Sequence, residues 1–157
     1  MSPAPPLDDA GIERALDQLA AIIRSQGLRR SAVRDRIARA ALARQGHFTV
    51  DELIGDLRRD GGGDAHPATV YRVVPLLVEA GLLKPTLITE GDGSHYERAF
   101  EREHHDHLIC TACGKVVEFH FEAIEVLQDD IASRFGFELT NHVHELQGIC
   151  PTCRSGD

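Results

Sequence analysis

The feature that most constrains this chain is a pair of C-x-x-C motifs, CTAC (Cys110, Cys113) and CPTC (Cys150, Cys153), separated by 36 residues. Two such pairs suit one tetrahedral zinc ion, with four thiolates at about 2.3 Å closing the coordination shell. A closed shell is structural rather than catalytic. In small modules it contributes on the order of 10 kcal/mol to folding. Gly114 directly after the first pair suits a tight knuckle. The competing readings are a disulfide pair or a redox dithiol. The opening MSPAPPLDDAG lacks the basic start and apolar stretch of a secretory signal, and no stretch of the chain reaches 18 consecutive apolar residues. The expected compartment is therefore the cytoplasm, where disulfides are disfavoured. A zinc deaminase would need Pro directly before the first cysteine of its C-x-x-C, and this chain has Ile109 there.

Immediately before the first pair stands HHDHLIC, with His104, His105, Asp106 and His107 in consecutive positions. As a β-strand this segment alternates its side chains. His105 and His107 then face one way, His104 and Asp106 the other, so one strand can serve two separate N/O sites. VVEFHF (116–121) reads as a second strand offering Glu118, and HVHEL (142–146) as a third with His142 and His144 on one face. Between them EAIEVLQDDIASRF reads as a helix whose buried face is Ile124, Leu127, Ile131 and Phe135, with Glu125 beside it. Imidazole and carboxylate donors without thiolate suit Fe(II), Mn(II), Co(II) or Zn(II). A lone His120 between phenylalanines reads as a partly buried residue of no special role.

The first half of the chain has different chemistry. Residues 24–44 hold seven arginines against one acid, a local charge of +6; residues 95–157 hold five basic and twelve acidic residues, a charge of −7. The contrast predicts two domains with different partners. Residues 12–24 and 31–44 read as helices. Thr49 and Glu52 form a capping box that opens a third helix running to about Arg59. DGGGDA is a turn. Pro67 opens a fourth helix, with Val70, Val73, Val74, Leu77 and Val78 as its apolar stripe, Pro75 inside it, and Gly81 as its stop. LLKPTLITEGDGSHYERA then alternates about Gly91-Asp92-Gly93 as a hairpin, completing a winged helix-turn-helix. Thr69, Tyr71 and Arg72 occupy the zone that reads bases in the major groove, and Arg29 and Arg34 suit phosphates or a minor groove.

With these residues in view, GLRRSAVR, HFTVDEL, ATVYRVVPLLVEAGLL, HYE, HHDHLICTACGKVVEF, IEVLQDDIASRFGFELTNH and GICPTC resemble the ferric uptake regulator superfamily in order and spacing, over residues 27–153. The resemblance is strongest to its iron-sensing branch. It implies an α/β (α+β) chain with a winged helix-turn-helix DNA-binding domain over 1–99, a hinge over 100–104, and a small α/β metal-binding dimerisation domain over 105–157 with an antiparallel sheet. It places a regulatory Fe(II) site on His47, Glu97, His105, His107 and Glu118, with Mn(II) or Zn(II) as substitutes. A second N/O site falls on His104, Asp106, Glu125 and His142, and the structural zinc on the four cysteines. Partners are a double-stranded inverted-repeat operator and a second copy of the chain, with a tetramer as the alternative assembly and no membrane. The implied protein is a transcriptional repressor of metal homeostasis, not an enzyme. Within the superfamily the alternatives are a zinc-, manganese- or peroxide-responsive member. Outside it they are a metallohydrolase, which lacks an evident substrate pocket, and a metal-storage protein, which would leave the arginine cluster and ATVYR unused.

Overall fold

The computed structural model describes residues 5–61, 65–86 and 93–156. The chain divides into two compact units, Ser2–Arg102 and Glu103–Asp157. No helix among the described residues is long and apolar enough to cross a membrane.

The first unit opens with α1 (Asp9–Ser25) and α2 (Ala32–Ala43). α1 starts three residues earlier than its apolar periodicity indicates, because Asp8 caps it by accepting from the Gly11 N–H at 2.7 Å. β1 (Phe48–Thr49) leads into α3 (Val50–Arg59). Both halves of the capping box form: Glu52 N–H donates to Thr49 Oγ1 at 3.2 Å, and Thr49 N–H to Glu52 Oε2 at 2.8 Å. α4 (Pro67–Glu79) runs through Pro75. Pro75 and Tyr71, the residue four before it, are both exposed, so the carbonyl that loses its helical donor meets solvent. The helix ends at Gly81, which at φ +66° lets its own N–H reach Val78 O and the Leu82 N–H reach Leu77 O, both at 2.9 Å. β2 (Leu83–Thr86) and β3 (His95–Arg98) pair antiparallel, from Leu83 opposite Arg98 to Thr86 opposite His95, and β3 lies between β1 and β2. These are the arms of the expected wing. Its turn at Gly91-Asp92, and the centre of the DGGGDA turn, lie outside the described residues. Leu16, Ile37, Leu42, Phe48, Leu53, Val70 and Leu77 build one buried core.

The second unit contains β4 (Asp106–Cys110), β5 (Val116–Phe119), α5 (Glu122–Arg134), β6 (Glu145–Gly148) and α6 (Pro151–Ser155). β4 is central, antiparallel to β5 but parallel to β6. The sheet is thus mixed rather than wholly antiparallel, because the crossover through α5 returns the chain in the direction of β4. β6 starts at Glu145, so His142 and His144 precede the strand rather than share a face within it; likewise β4 starts at Asp106, after His104 and His105. The expected buried face of α5 is not buried within the chain. Leu127, Ile131 and Phe135 are all exposed. Three short strands and two helices enclose too little volume to cover that stripe, and Ile109 and Cys110 are the buried apolar residues among the described residues of the unit. His120 is exposed, not partly buried.

Candidate metal centres and nucleic-acid interface

The two C-x-x-C pairs meet at one end of the β4–β6 pair. Cys110 ends β4, Gly114 turns the knuckle at φ +69° with its N–H on Cys110 O at 2.9 Å, and Cys150 caps α6. The thiol sulfurs lie within 4.8 Å of one another, and Cys113 Sγ is 3.8 Å from Cys150 Sγ. A disulfide brings sulfurs to about 2.05 Å. A tetrahedron with metal–sulfur bonds of about 2.3 Å has an edge of about 3.8 Å. The spacing is that of ligands around an ion. The Cys150 N–H reaches Cys110 Sγ at 3.2 Å and the Cys153 N–H reaches Cys150 Sγ at 3.5 Å. Donors of this kind stabilise a thiolate: the Cys150 N–H, then that of Ala112, brings the Cys110 thiol down to about 6. Cys153, hydrogen-bonded to Cys113 and Cys150, is pushed up to about 12. Four crowded sulfurs cannot all carry charge alone, and a divalent cation would supply the compensation.

The set His104, Asp106, Glu125 and His142 also converges, with one donor atom of each within 4.8 Å of the others. His104 Nε2 lies 3.2 Å from Asp106 Oδ1 and 2.7 Å from His142 Nε2. Glu125 spans both imidazoles, Oε1 at 3.4 Å from His104 and Oε2 at 3.4 Å from His142. Two ring nitrogens aimed at one point, and a buried Glu125 oxygen with no hydrogen bond, fit a divalent ion with mixed N/O donors. His144, read from the sequence as sharing a strand face with His142, joins this cluster through Asp106 Oδ2 at 3.3 Å.

The remaining five expected ligands are divided between the two units. In the first unit, His47 Nε2 is 3.5 Å from Glu97 Oε2, and the Glu97 side chain is 0% exposed. Lys84 Nζ, opposite it across the hairpin, reaches Glu97 Oε1 at 3.0 Å, and Arg102 pairs with Oε2. In the second unit, the rings of His105 and His107 are 5.0 Å apart, edge to face. His107 stands directly opposite Glu118 on β5 and Glu145 on β6. Lys84, Arg102 and Glu145 were not singled out from the sequence. Only the strand register, which pairs Lys84 with Glu97 and His107 with Glu145, brings two of them to the donors.

Along α4, Thr69 is half-buried and Tyr71 and Arg72 are exposed. The Tyr71 hydroxyl donates to Asp51 Oδ1 at 3.0 Å, tying the start of α4 to the start of α3. That bond raises the Tyr71 pKa above its ordinary value. Arg29 is exposed ahead of α2, and its carbonyl accepts from the Arg34 guanidinium. Within the arginine cluster Arg30, Arg39 and Arg44 are paired with Asp35, Glu13 and Asp56. The expected cationic face is thus partly neutralised by carboxylates of its own unit.

Residues 25–147 match the family model described as the ferric uptake regulator family. The ferric uptake regulation protein of Campylobacter jejuni subsp. jejuni is 35% identical over 142 residues, 89% of this chain and 88% of that protein. Among solved structures, the Helicobacter pylori ferric uptake regulator, described with three functional metal-binding sites, aligns over 96% of this chain and 97% of its own at TM-score 0.78 and 27% identity. A zinc uptake regulator complexed with zinc and DNA aligns over 92% of this chain and 96% of its own at TM-score 0.55 and 28% identity.

Proposed function

The chain belongs to the ferric uptake regulator family, and on that premise we propose that it is a cytoplasmic, Fe(II)-dependent transcriptional repressor that binds an inverted-repeat operator as a dimer. The observation that carries this reading is the His47–Glu97 pair, two metal-type donors 3.5 Å apart inside the unit that also holds the helix-turn-helix. An ion bound there must engage the DNA-reading unit itself. In the proposed arrangement His105, His107 and Glu118 complete its shell, the four cysteines hold structural zinc, and His104, Asp106, Glu125 and His142 hold a second ion.

The ion favours one arrangement of the chain only by its difference in affinity for the two states. Taking a population from mostly inactive to mostly active needs about 5.5 kcal/mol of such difference. A site whose donors are divided between two units supplies it when the last donors arrive only in the active state. Thr69, Tyr71 and Arg72 then face base edges, and Arg29 and Arg34 hold the backbone. The exposed apolar stripe of α5 supports a second copy of the chain as its cover, with a dimer as the unit and a tetramer as the larger alternative.

Fluorescence anisotropy on an A·T-rich inverted repeat and a scrambled duplex tests this. The exchangeable sites are stripped, the cysteine zinc is kept, and Mn(II), as an air-stable substitute for Fe(II), is titrated beside Zn(II). Mn(II)-dependent binding to the repeat alone, lost in His47→Ala, is the expected result. Response to Zn(II) alone would make the chain a zinc sensor, the second reading favoured by its likeness to a zinc uptake regulator. Tight, sequence-specific binding that ignores both chelation and His47→Ala would refute metal control.

A further inference from the structure

His144 has no role in the function proposed above, yet its placement is well defined. Its carbonyl accepts from the His107 N–H at 3.3 Å, which anchors the backbone beside the start of β4. Its ring lies edge-on to Phe119, centroids 6.1 Å apart at 81°. Nδ1 faces Asp106 Oδ2 at 3.3 Å. Asp106 is 1% exposed, so no bulk water competes for that oxygen. Its other oxygen, Oδ1, is the one turned to His104 Nε2 at 3.2 Å and His142 Nε2 at 3.8 Å. The two oxygens of one carboxylate are therefore assigned to different tasks.

We infer that His144 is a positioning residue of the second N/O site: its Nδ1–H holds Oδ2, so that Asp106 offers the ion a single oxygen. This rests on the reading that His104, Asp106, Glu125 and His142 hold an ion. With one oxygen from Asp106, the donor set favours a low coordination number, which suits Zn(II) or Co(II). Mn(II) and Mg(II) favour six oxygen-rich ligands. Outer partners of this kind fix a ligand's orientation, and losing one costs about 10- to 100-fold in metal affinity. His144 thus biases the second site toward a different ion from the Fe(II) proposed for the regulatory one.

The test uses the full-length protein with its cysteine zinc in place. The second-site signal is defined as the binding step, and the Co(II) visible spectrum, that His104→Ala removes. In the wild type this difference spectrum should show the intense bands of four-coordinate Co(II). His144→Leu should weaken those bands and lower Zn(II) affinity at that step about 10- to 100-fold. His144→Gln, which keeps an N–H donor, should restore both. Crystals grown with Zn(II) should show Asp106 bound through one oxygen in the wild type and two in His144→Leu. Unchanged affinity and spectrum in His144→Leu would overturn the role of His144. So would a wild-type crystal with both Asp106 oxygens on the ion, without recourse to any variant. A wild type with no step sensitive to His104→Ala would instead overturn the site itself, a failure visible before His144 is touched.

Discussion

Leu127 and Ile131 on α5 are 61% and 57% exposed, in a unit whose buried apolar residues are Ile109 and Cys110. Fully burying such a side chain is worth about 1.5–3 kcal/mol, so covering the exposed six-tenths is worth about 1–2 kcal/mol each. In a two-fold dimer each substitution occurs twice. Ile131→Ala or Leu127→Ala should therefore weaken the dimer by about 2–4 kcal/mol, or about 30- to 1,000-fold in its dissociation constant. The retained Cβ places the outcome toward the lower end. Sedimentation velocity over a concentration series reads this directly, with circular dichroism confirming that the helices persist. Leu28→Ala, at a residue 41% exposed in the other unit, is the control and should leave the association unchanged. If both α5 variants dimerise like the wild type while remaining folded, the stripe is not the covered surface.

Three further outcomes follow from the sites. Removing the cysteine zinc, or Cys113→Ser, should melt the Glu103–Asp157 unit while Ser2–Arg102 retains its helices, leaving a single calorimetric transition from the latter, because the metal would contribute on the order of 10 kcal/mol to such a module. Ultraviolet titration should show Tyr71 ionising above the ordinary tyrosine range, and Asp51→Asn should bring it back. The folded-state pKa is raised, so the Tyr71–Asp51 contribution to stability is full below about pH 10 and is lost as pH rises through the folded value. Arg72→Ala should weaken operator binding by about 1–3 kcal/mol if it reads a guanine, and should then relax specificity at one base pair in a binding-site selection; a uniform loss with a smaller salt slope would make it a phosphate contact.

The sequence made the local devices readable. The Thr49–Glu52 box, Pro67 at a helix start and Gly81 at a helix stop each act through neighbouring backbone groups, so their effect is visible within a few residues. The alternation expected of HHDH grouped His104 with Asp106 and His105 with His107, as the distances also do, although only Asp106 and His107 lie in β4. The unread features depend on partners distant in sequence. That Glu97 is matched by Lys84 follows from a register that a hairpin centred on Asp92 does not give. The parallel return of β6 follows from the path through α5, which periodicity does not encode. The α5 stripe was identified as apolar, but apolarity alone does not say whether the same chain or another covers it. His144 reads only as a strand residue beside His142, because the sequence does not show which carboxylate oxygen its ring faces.

The central strand β4 begins at Asp106, in one candidate metal set, and ends at Cys110, in another, within five residues. Fixing each of those residues costs about 1–2 kcal/mol of backbone entropy. An ion that closes the knuckle bears that cost once, and an ion arriving afterwards at the other end finds the strand already ordered. On the proposed reading, filling the thiolate site therefore raises affinity at the imidazole–carboxylate site, and the reverse holds equally. In the proposed sensor, a chain lacking the structural ion would then hold the second ion less tightly, so the supply of one metal would set the response to another.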